Sequence, residues 1–297
     1  MMNRRFWDFF RCMVPMFVCL ALQNGLMIFA AQVYLIYMFL GLSPGSEGQF
    51  SEQYIDGISS VVFLMGVSLV YAVCGVAVFA FWYWRMVRTE TERGFWPNRS
   101  TERDSMKGYP VYLYGGILLF AIGAQYVCAN VVAILAQARP DWFDAYAKLV
   151  ENLDFSGNGA GVLVLLYTVF FGPLCEELCF RGLTLNYACR VMRPMTANLV
   201  QALFFGGMHA NPLQSIYAFG FGYVLGMLYL ETDNLWITIS AHICFNALAM
   251  LLGEHIGAGS TPVSFYCIFL ISMMAVYAGY LLIQKAQEEK EKIKEIG

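Results

Sequence analysis

The sequence predicts an all-α, polytopic membrane protein with about eight transmembrane helices and both termini in the cytoplasm. Hydrophobic residues make up 59% of the 297 residues and charged residues 13%, which is about half the roughly 25% of a soluble domain. The apolar residues gather in stretches that approach or exceed the roughly 20 residues needed to cross a bilayer. Basic residues concentrate in alternate loops, as they do in multi-pass membrane proteins.

Eight apolar stretches are candidate transmembrane helices. They occupy about residues 13–42, 57–84, 109–137, 161–187, 196–212, 214–230, 235–253 and 264–284. The fifth and sixth are short and are separated by Asn211-Pro212, which favours tilted helices or an incomplete hairpin. The tail from Lys285 to Gly297 alternates acidic and basic residues, which predicts a solvated helical extension held by i,i+4 pairs.

The distribution of lysine and arginine sets the predicted orientation. Basic residues precede the first span and follow the second, fourth and eighth; they are Arg4, Arg5, Arg11, Arg85, Arg88, Arg93, Arg99, Arg103, Lys107, Arg190, Arg193, Lys285, Lys290, Lys292 and Lys294. The opposite side receives only Arg139 and Lys148. These two lie in a polar outside loop at 138–160, which Trp142 and Phe143 anchor at the membrane interface.

Two adjacent glutamates, Glu176 and Glu177, lie inside the fourth span. Unpartnered carboxylates are costly in hydrocarbon, so an intramembrane acidic pair predicts a functional site. Glu177 and Arg181 share one helical face and can neutralise each other, which we interpret as a structural pair. Glu176 has no such partner, and its desolvation beside a like charge suits it to act as a general base. Pro173 leaves a backbone carbonyl unpaired, which favours a kink that admits water.

A histidine, His209, lies at the end of the apolar string Q-A-L-F-F-G-G-M-H, one helical turn after Phe205. Glu176 precedes Arg190 by 14 residues, and His209 follows Arg193 by 16. At about 1.5 Å per residue, Glu176 and His209 lie about 21 Å and about 24 Å from the turn that contains the two arginines. An antiparallel helical hairpin would therefore bring the carboxylate and the imidazole to similar depth.

A second histidine, His242, lies four residues before Asn246 on one face of the seventh span. An imidazole and a carboxamide that project together can donate two hydrogen bonds to one oxygen, as an oxyanion hole requires. A polar pair that only joins helices is the alternative. His242 starts about 11 Å from the inner end of its span, shallower than the other two side chains. Gly222 and Gly226 are spaced to permit tight helix packing.

Together these strings resemble the type II CAAX prenyl protease and bacteriocin-processing family of intramembrane glutamic endopeptidases. The family pattern of E-E-x-x-x-R, F-x-x-x-H and H-x-x-x-N reads here as Glu176-Glu177-x-x-x-Arg181, Phe205-x-x-x-His209 and His242-x-x-x-Asn246. The resemblance covers about residues 160–255. It divides the chain into N-terminal helices at 1–157, a catalytic core at 158–255, and a last span with a charged tail at 256–297.

The resemblance also implies a role for each motif residue. Glu176 would be the general base that activates a water, and His209 would help to orient that water. His242 and Asn246 would stabilise the tetrahedral oxyanion. Glu177 and Arg181 would stabilise the helix that carries the first motif.

The leading hypothesis is an endopeptidase that cuts near the inner face of a bacterial cell membrane, acts on a hydrophobic or lipidated peptide or membrane protein, and needs no cofactor. A zinc enzyme is a second hypothesis, because Glu176, His209 and His242 could supply three ligands. A third is a non-catalytic scaffold or bacteriocin-immunity factor, and a transporter is less favoured because the sequence has no inverted repeats.

The nine cysteines, none in C-x-x-C, are interpreted as core side chains. The net charge of −3 argues against nucleic acid, and no oligomeric state is predicted.

Overall fold

The computed structural model describes residues 4–41, 47–92, 105–151 and 160–296, which form helices without any strand. The all-α prediction is therefore confirmed for this part of the chain. The helices are α1 (Arg4–Arg11), α2 (Val14–Gly41), α3 (Glu47–Ser59), α4 (Val61–Glu92), α5 (Tyr112–Ala138), α6 (Pro140–Glu151), α7 (160–189, in five segments), α8 (Pro194–Gly207), α9 (Pro212–Thr232), α10 (Leu235–Leu252) and α11 (Pro262–Ile296). Helix α6 occupies much of the predicted outside loop. The predicted region boundary after residue 157, and Arg93, Arg99 and Arg103, lie outside the described residues.

Seven helices in the described ranges are long and apolar enough to cross a membrane, so the chain is an integral, multi-pass membrane protein. They are Trp7–Gly41, Val61–Thr89, Tyr112–Ala138, Gly161–Cys189, Pro212–Thr232, Leu235–Leu252 and Pro262–Ile293. The predicted count of eight is not confirmed. The predicted span at 196–212 contains α8, whose 14 residues extend about 21 Å, less than the roughly 30 Å of a hydrocarbon core. The orientation of the termini stays a prediction.

Helix α8 is shorter than its apolar string because the backbone turns before the string ends. The helix stops at Gly207, and Ala210 takes a left-handed conformation with φ of 54°. Asn211 then caps α9, its side-chain oxygen accepting from the backbone N–H groups of Leu213 and Gln214 at 3.1 Å each. Pro212 occupies the first turn of α9, where a missing N–H costs nothing. The chain thus reverses between α8 and α9.

Helix α7 carries the acidic pair and alternates between α-helical and π-helical segments. Its segments are Ala160–Leu165 (α), Leu166–Phe171 (π), Gly172–Glu177 (α), Leu178–Leu185 (π) and Asn186–Cys189 (α). The π turns close with i→i+5 hydrogen bonds and are frequent at functional sites. The first π segment ends at Phe171, two residues before Pro173, which lacks the N–H that would continue the ladder. The acidic pair therefore lies on one short α-helical segment between two wider ones.

The charged tail continues α11 as a helix, but the prediction that it is solvated is wrong at Lys290. This side chain is only 6% exposed. Its ammonium donates to the carbonyl of Ser105 at 2.6 Å and lies 4.0 Å from the centre of the Tyr109 ring. The amide of Asn234, which caps α10, donates to the same carbonyl at 3.1 Å. The segment before α5 therefore ties the tail to the start of α10.

Two apolar clusters hold the helices together. The first joins α2, α4, α7 and α8 and includes residues of α9 and α10, and the second joins α5, α9, α10 and α11. Between α8 and α9 lies a buried polar seam, in which Asn198 and Gln201 donate to the backbone carbonyls of Tyr223 and Gly222 at 2.9 and 3.0 Å. Side chains can reach this backbone only because α9 carries glycines here, as the spacing of Gly222 and Gly226 predicts.

Replacing Gly226 with Ala should destabilise the protein. The new Cβ would overlap the side-chain oxygen of Asn198 and lie 2.6 Å from the amide nitrogen of Gln201, so the polar seam would have to move. We expect a loss of about 1–3 kcal/mol, as for other overpacked sites, measured as a lower thermal unfolding temperature in detergent. Gly220→Ala on the same helix is the matched control, because its Cβ would have no atom within 4 Å. Equal unfolding temperatures for the two variants would contradict the proposed close approach.

Candidate active site

A cavity of about 180 Å³ lies between helices α7, α8, α9 and α10. It is lined by Tyr167, Thr168, Gly172, Pro173, Glu176, Phe205, His209, Gln214, Tyr217, Ala218, Phe221, His242, Phe245 and Asn246. The structure therefore brings together all four side chains predicted to be catalytic, and Phe205 with them. Glu177 and Arg181 do not line the cavity; they lie behind its wall and are fully buried. Because His209 follows the end of α8, the cavity lies at the opposite end of that helix from Arg190 and Arg193.

Glu177 is the centre of a buried network that joins two of the motifs. Its Oε1 accepts from Arg181 Nη1 at 2.7 Å, as the four-residue spacing predicts. The same oxygen lies 2.8 Å from Nδ1 of His242, which the sequence did not predict. Arg181 also donates through Nη2 to the carbonyl of Gly222 at 2.9 Å, and its guanidinium lies 4.6 Å from the centre of the Phe205 ring. Glu177 therefore fixes the orientation of His242 as well as pairing with Arg181.

Glu176 faces the cavity, and 21% of its side chain is exposed. Its Oε2 lies 3.7 Å from Nε2 of His242. Because an ionised carboxylate can only accept, Nδ1 of this ring donates to Glu177, and Nε2 is the nitrogen that faces Glu176 and the cavity. His242 therefore lies between two carboxylates, one fully buried and one facing the cavity.

His209 is oriented by its own helix. Its Nδ1 lies 2.9 Å from the carbonyl of Phe205, to which the N–H donates. The two rings meet edge to face with centres 5.1 Å apart. With Nδ1 used in this way, the neutral ring keeps Nε2 as an acceptor that can hold a water in the cavity. Phe205 thus supports His209 through both its backbone and its ring.

Asn246 donates through Nδ2 to the carbonyl of Thr168 at 2.7 Å. This carbonyl lies five residues before Pro173, where the π-helical partner would be the N–H that proline lacks. The side chain of Asn246 thus satisfies a backbone acceptor that would otherwise be unpaired in the membrane interior. One amide N–H is occupied in this contact, and the second remains for a ligand in the cavity.

Sequence reasoning missed Thr168 and Phe221 as parts of the site. The unpaired carbonyl expected from Pro173 was a usable signal for Thr168, because such a carbonyl needs a donor at the same depth on a neighbouring helix. Phe221 meets the ring of His242 edge to face with centres 5.4 Å apart, and no pattern in the sequence indicates this.

Metal binding can be judged from the donor groups. Among the residues that the structure describes, no three His, Cys, Asp or Glu side chains form a group placed to hold a metal ion. The nine cysteines are free thiols.

The motif region resembles known proteins. Residues 158–248, which include all three motifs, match the family model described as Type II CAAX prenyl endopeptidase Rce1-like. A protein named "Putative membrane peptidase YdiL" from Bacillus subtilis (strain 168) is 24% identical over 90 residues. These residues are 30% of this chain and 37% of the relative, so the chain spans little more than a third of that relative's length. No solved structure matches the chain.

Proposed function

We propose that this chain, whose residues 158–248 match the type II CAAX prenyl endopeptidase Rce1-like family model, is an intramembrane endopeptidase of a bacterial cell membrane. The observation that carries the proposal is the shared cavity. Side chains from three motifs on three helices, including the cavity-facing carboxylate of Glu176, converge on about 180 Å³. This arrangement matches what a water-activating site requires, namely a base, a water ligand and hydrogen-bond donors around one reacting atom.

In the proposed reaction, Glu176 removes a proton from a water held with Nε2 of His209. The water oxygen attacks the carbonyl carbon of the peptide bond, and the carbonyl oxygen becomes the oxyanion. The free N–H of Asn246 can donate to this oxygen. Nε2 of His242 can donate as well, but only from the doubly protonated ring, because Nδ1 already donates to Glu177. The proton taken by Glu176 then passes to the leaving nitrogen, the C–N bond breaks, and a new carboxyl and a new amine result.

The cavity lining supports a hydrophobic substrate. Aromatic rings of Tyr167, Tyr217, Phe221 and Phe245 form much of its wall. A hydrophobic or lipidated peptide, or a segment of a membrane protein, could place uncharged side chains against these rings without desolvating a charge. This match supports the proposed substrate class.

The proposal can be tested by reconstituting the full chain in lipid vesicles with a mixture of hydrophobic and lipidated peptides. We expect new peptide termini that mass spectrometry can map, with one oxygen from ¹⁸O-labelled water in each new carboxyl group. Activity should persist in excess chelator, because Glu176 acts on water directly. Loss of activity in chelator with recovery on adding zinc would favour a zinc enzyme. Vesicles that give no cleavage above protein-free controls would contradict the proposal.

A further inference from the structure

Helix α5 lies outside the segment matched by the family, yet it reaches the wall of the cavity. Gln125, near the middle of this span, is 8% exposed. Its amide Nε2 donates to the backbone carbonyl of Phe245 on α10 at 2.5 Å. Five residues earlier, the ring of Phe120 stacks on that of Phe221 with centres 6.5 Å apart. Two side chains of α5 thus contact residues that line the cavity.

The carbonyl that Gln125 contacts belongs to the turn of α10 that carries the proposed oxyanion donors. Phe245 lies three residues after His242 and directly before Asn246. Its ring stacks on Phe221 with centres 4.0 Å apart, and Phe221 in turn meets the ring of His242. A rotation or shift of α10 would move His242, Phe245 and Asn246 together, because all three lie within two turns of this one helix.

Gln125 is well suited to prevent such a shift. The aromatic contacts around Phe245 are apolar, and apolar contacts fix the rotation of a helix less sharply than a directional hydrogen bond does. A buried amide that loses its hydrogen-bond partner in the membrane interior costs free energy. The bond from Gln125 to the Phe245 carbonyl therefore opposes sliding or rotation of α10 relative to α5.

We propose that Gln125 is a positioning residue for the peptidase reaction. It fixes α10 so that the N–H groups of His242 and Asn246 point at the position of the developing oxyanion. This inference rests on the proposed function and adds α5, from the N-terminal region, to the machinery of the site. The competing explanation is that Gln125 only joins two helices, as buried polar side chains commonly do in membranes.

The chain offers a matched control for this competing explanation. Asn130 lies on the same helix and is also buried, but its amide donates to the carbonyl of Tyr126, within α5 itself, at 2.7 Å. Asn130→Leu therefore removes a buried amide from α5 without removing a hydrogen bond to α10. Gln125→Met replaces the side chain with one of similar length and removes the amide that donates to α10. The two variants should differ in catalysis if Gln125 positions the site.

We expect Gln125→Met to lower kcat about 10- to 100-fold with little change in KM, the effect of slightly misplaced catalytic groups. The affinity for a peptide phosphonate, which mimics the tetrahedral intermediate, should fall by a similar factor. Asn130→Leu should leave both quantities within about twofold of the intact chain while changing thermal unfolding comparably. Gln125→Glu should restore kcat, because an uncharged carboxylic acid keeps an O–H donor at this position.

The outcomes separate the inference from the function on which it rests. Equal kcat losses for Gln125→Met and Asn130→Leu, or an unchanged kcat for Gln125→Met, would overturn the positioning role and leave the proposed function intact. If Gln125→Met does not fold, the Gln125→Glu variant tests the positioning role instead. A loss of kcat in folded Gln125→Glu, which keeps a hydrogen-bond donor at this position, would also overturn that role. An intact chain without peptidase activity would contradict the proposed function, and the inference would fail with it.

Discussion

Replacing Glu176 with Gln should lower kcat by about 10²- to 10⁴-fold, the usual contribution of a general base. Gln has the size of Glu and can still hydrogen-bond, but it cannot take a proton from water. The side chain is partly exposed to the cavity and forms no part of the buried Glu177–Arg181 pair, so the fold should be retained. Peptide cleavage in vesicles and thermal unfolding of the same samples would measure both effects.

The control for this variant is Glu231→Gln. Glu231 is an exposed carboxylate that accepts from Gln284 at 2.7 Å, away from the cavity, and its replacement should leave kcat unchanged. A Glu176→Gln variant that cleaves peptides at the rate of the intact chain would refute the assignment of the base. If the Glu176→Gln variant no longer cleaves peptides but keeps the effect that the intact chain has in cells, that effect would come from a scaffold or immunity role and not from catalysis.

Replacing Arg181 with Met should produce the largest loss of stability. The guanidinium is the partner of a fully buried carboxylate, and both side chains are 0% exposed. Removing one partner of a buried ion pair typically costs roughly 3–5 kcal/mol, because the other charge stays in a medium of low polarity. The carbonyl of Gly222 would also lose its bond from Arg181. A strongly lowered thermal unfolding temperature in detergent is the expected result.

A double variant tests the reason for this loss. Combining Arg181→Met with Glu177→Gln removes both charges, so much of the lost stability should return. Arg139→Met removes one partner of an exposed pair with Asp141 and should leave the unfolding temperature unchanged. A double variant as unstable as Arg181→Met alone would indicate that packing of the guanidinium, and not the uncompensated carboxylate, governs stability.

The sequence predicts the convergence of Glu176 with His209 because both positions lie at similar distances from one turn between two antiparallel helices. The same counting placed His242 too shallow, although its Nε2 lies 3.7 Å from Glu176. Part of the difference comes from the π-helical segment Leu178–Leu185, which lies between Glu176 and Arg190. A π-helix has more residues per turn and a smaller rise per residue than the α-helix on which the depth estimate is based. Single-sequence patterns do not reveal such segments, so depth estimates through them are too large.

The contact between Glu177 and His242 could not be anticipated for a different reason. The four-residue spacing on a helix identifies Arg181 as a partner, whereas His242 comes from a helix 65 residues away. Whether a side chain reaches across depends on the rotation and tilt of both helices, which local sequence does not determine. The role of α5 is hidden for the same reason, since Gln125 belongs to no motif and its importance appears only when α10 is packed beside it.

The dimensions of the cavity limit the form in which a membrane-spanning polypeptide could be cut. An intact α-helix is about 10–12 Å across with its side chains, which is too bulky to fit into a cavity of about 180 Å³. In such a helix each carbonyl is also engaged by an N–H of the following turn. A target segment would have to unwind over a few residues before its amide could meet Glu176. Helix-weakening residues such as glycine or proline near the scissile bond should thus distinguish good targets from poor ones.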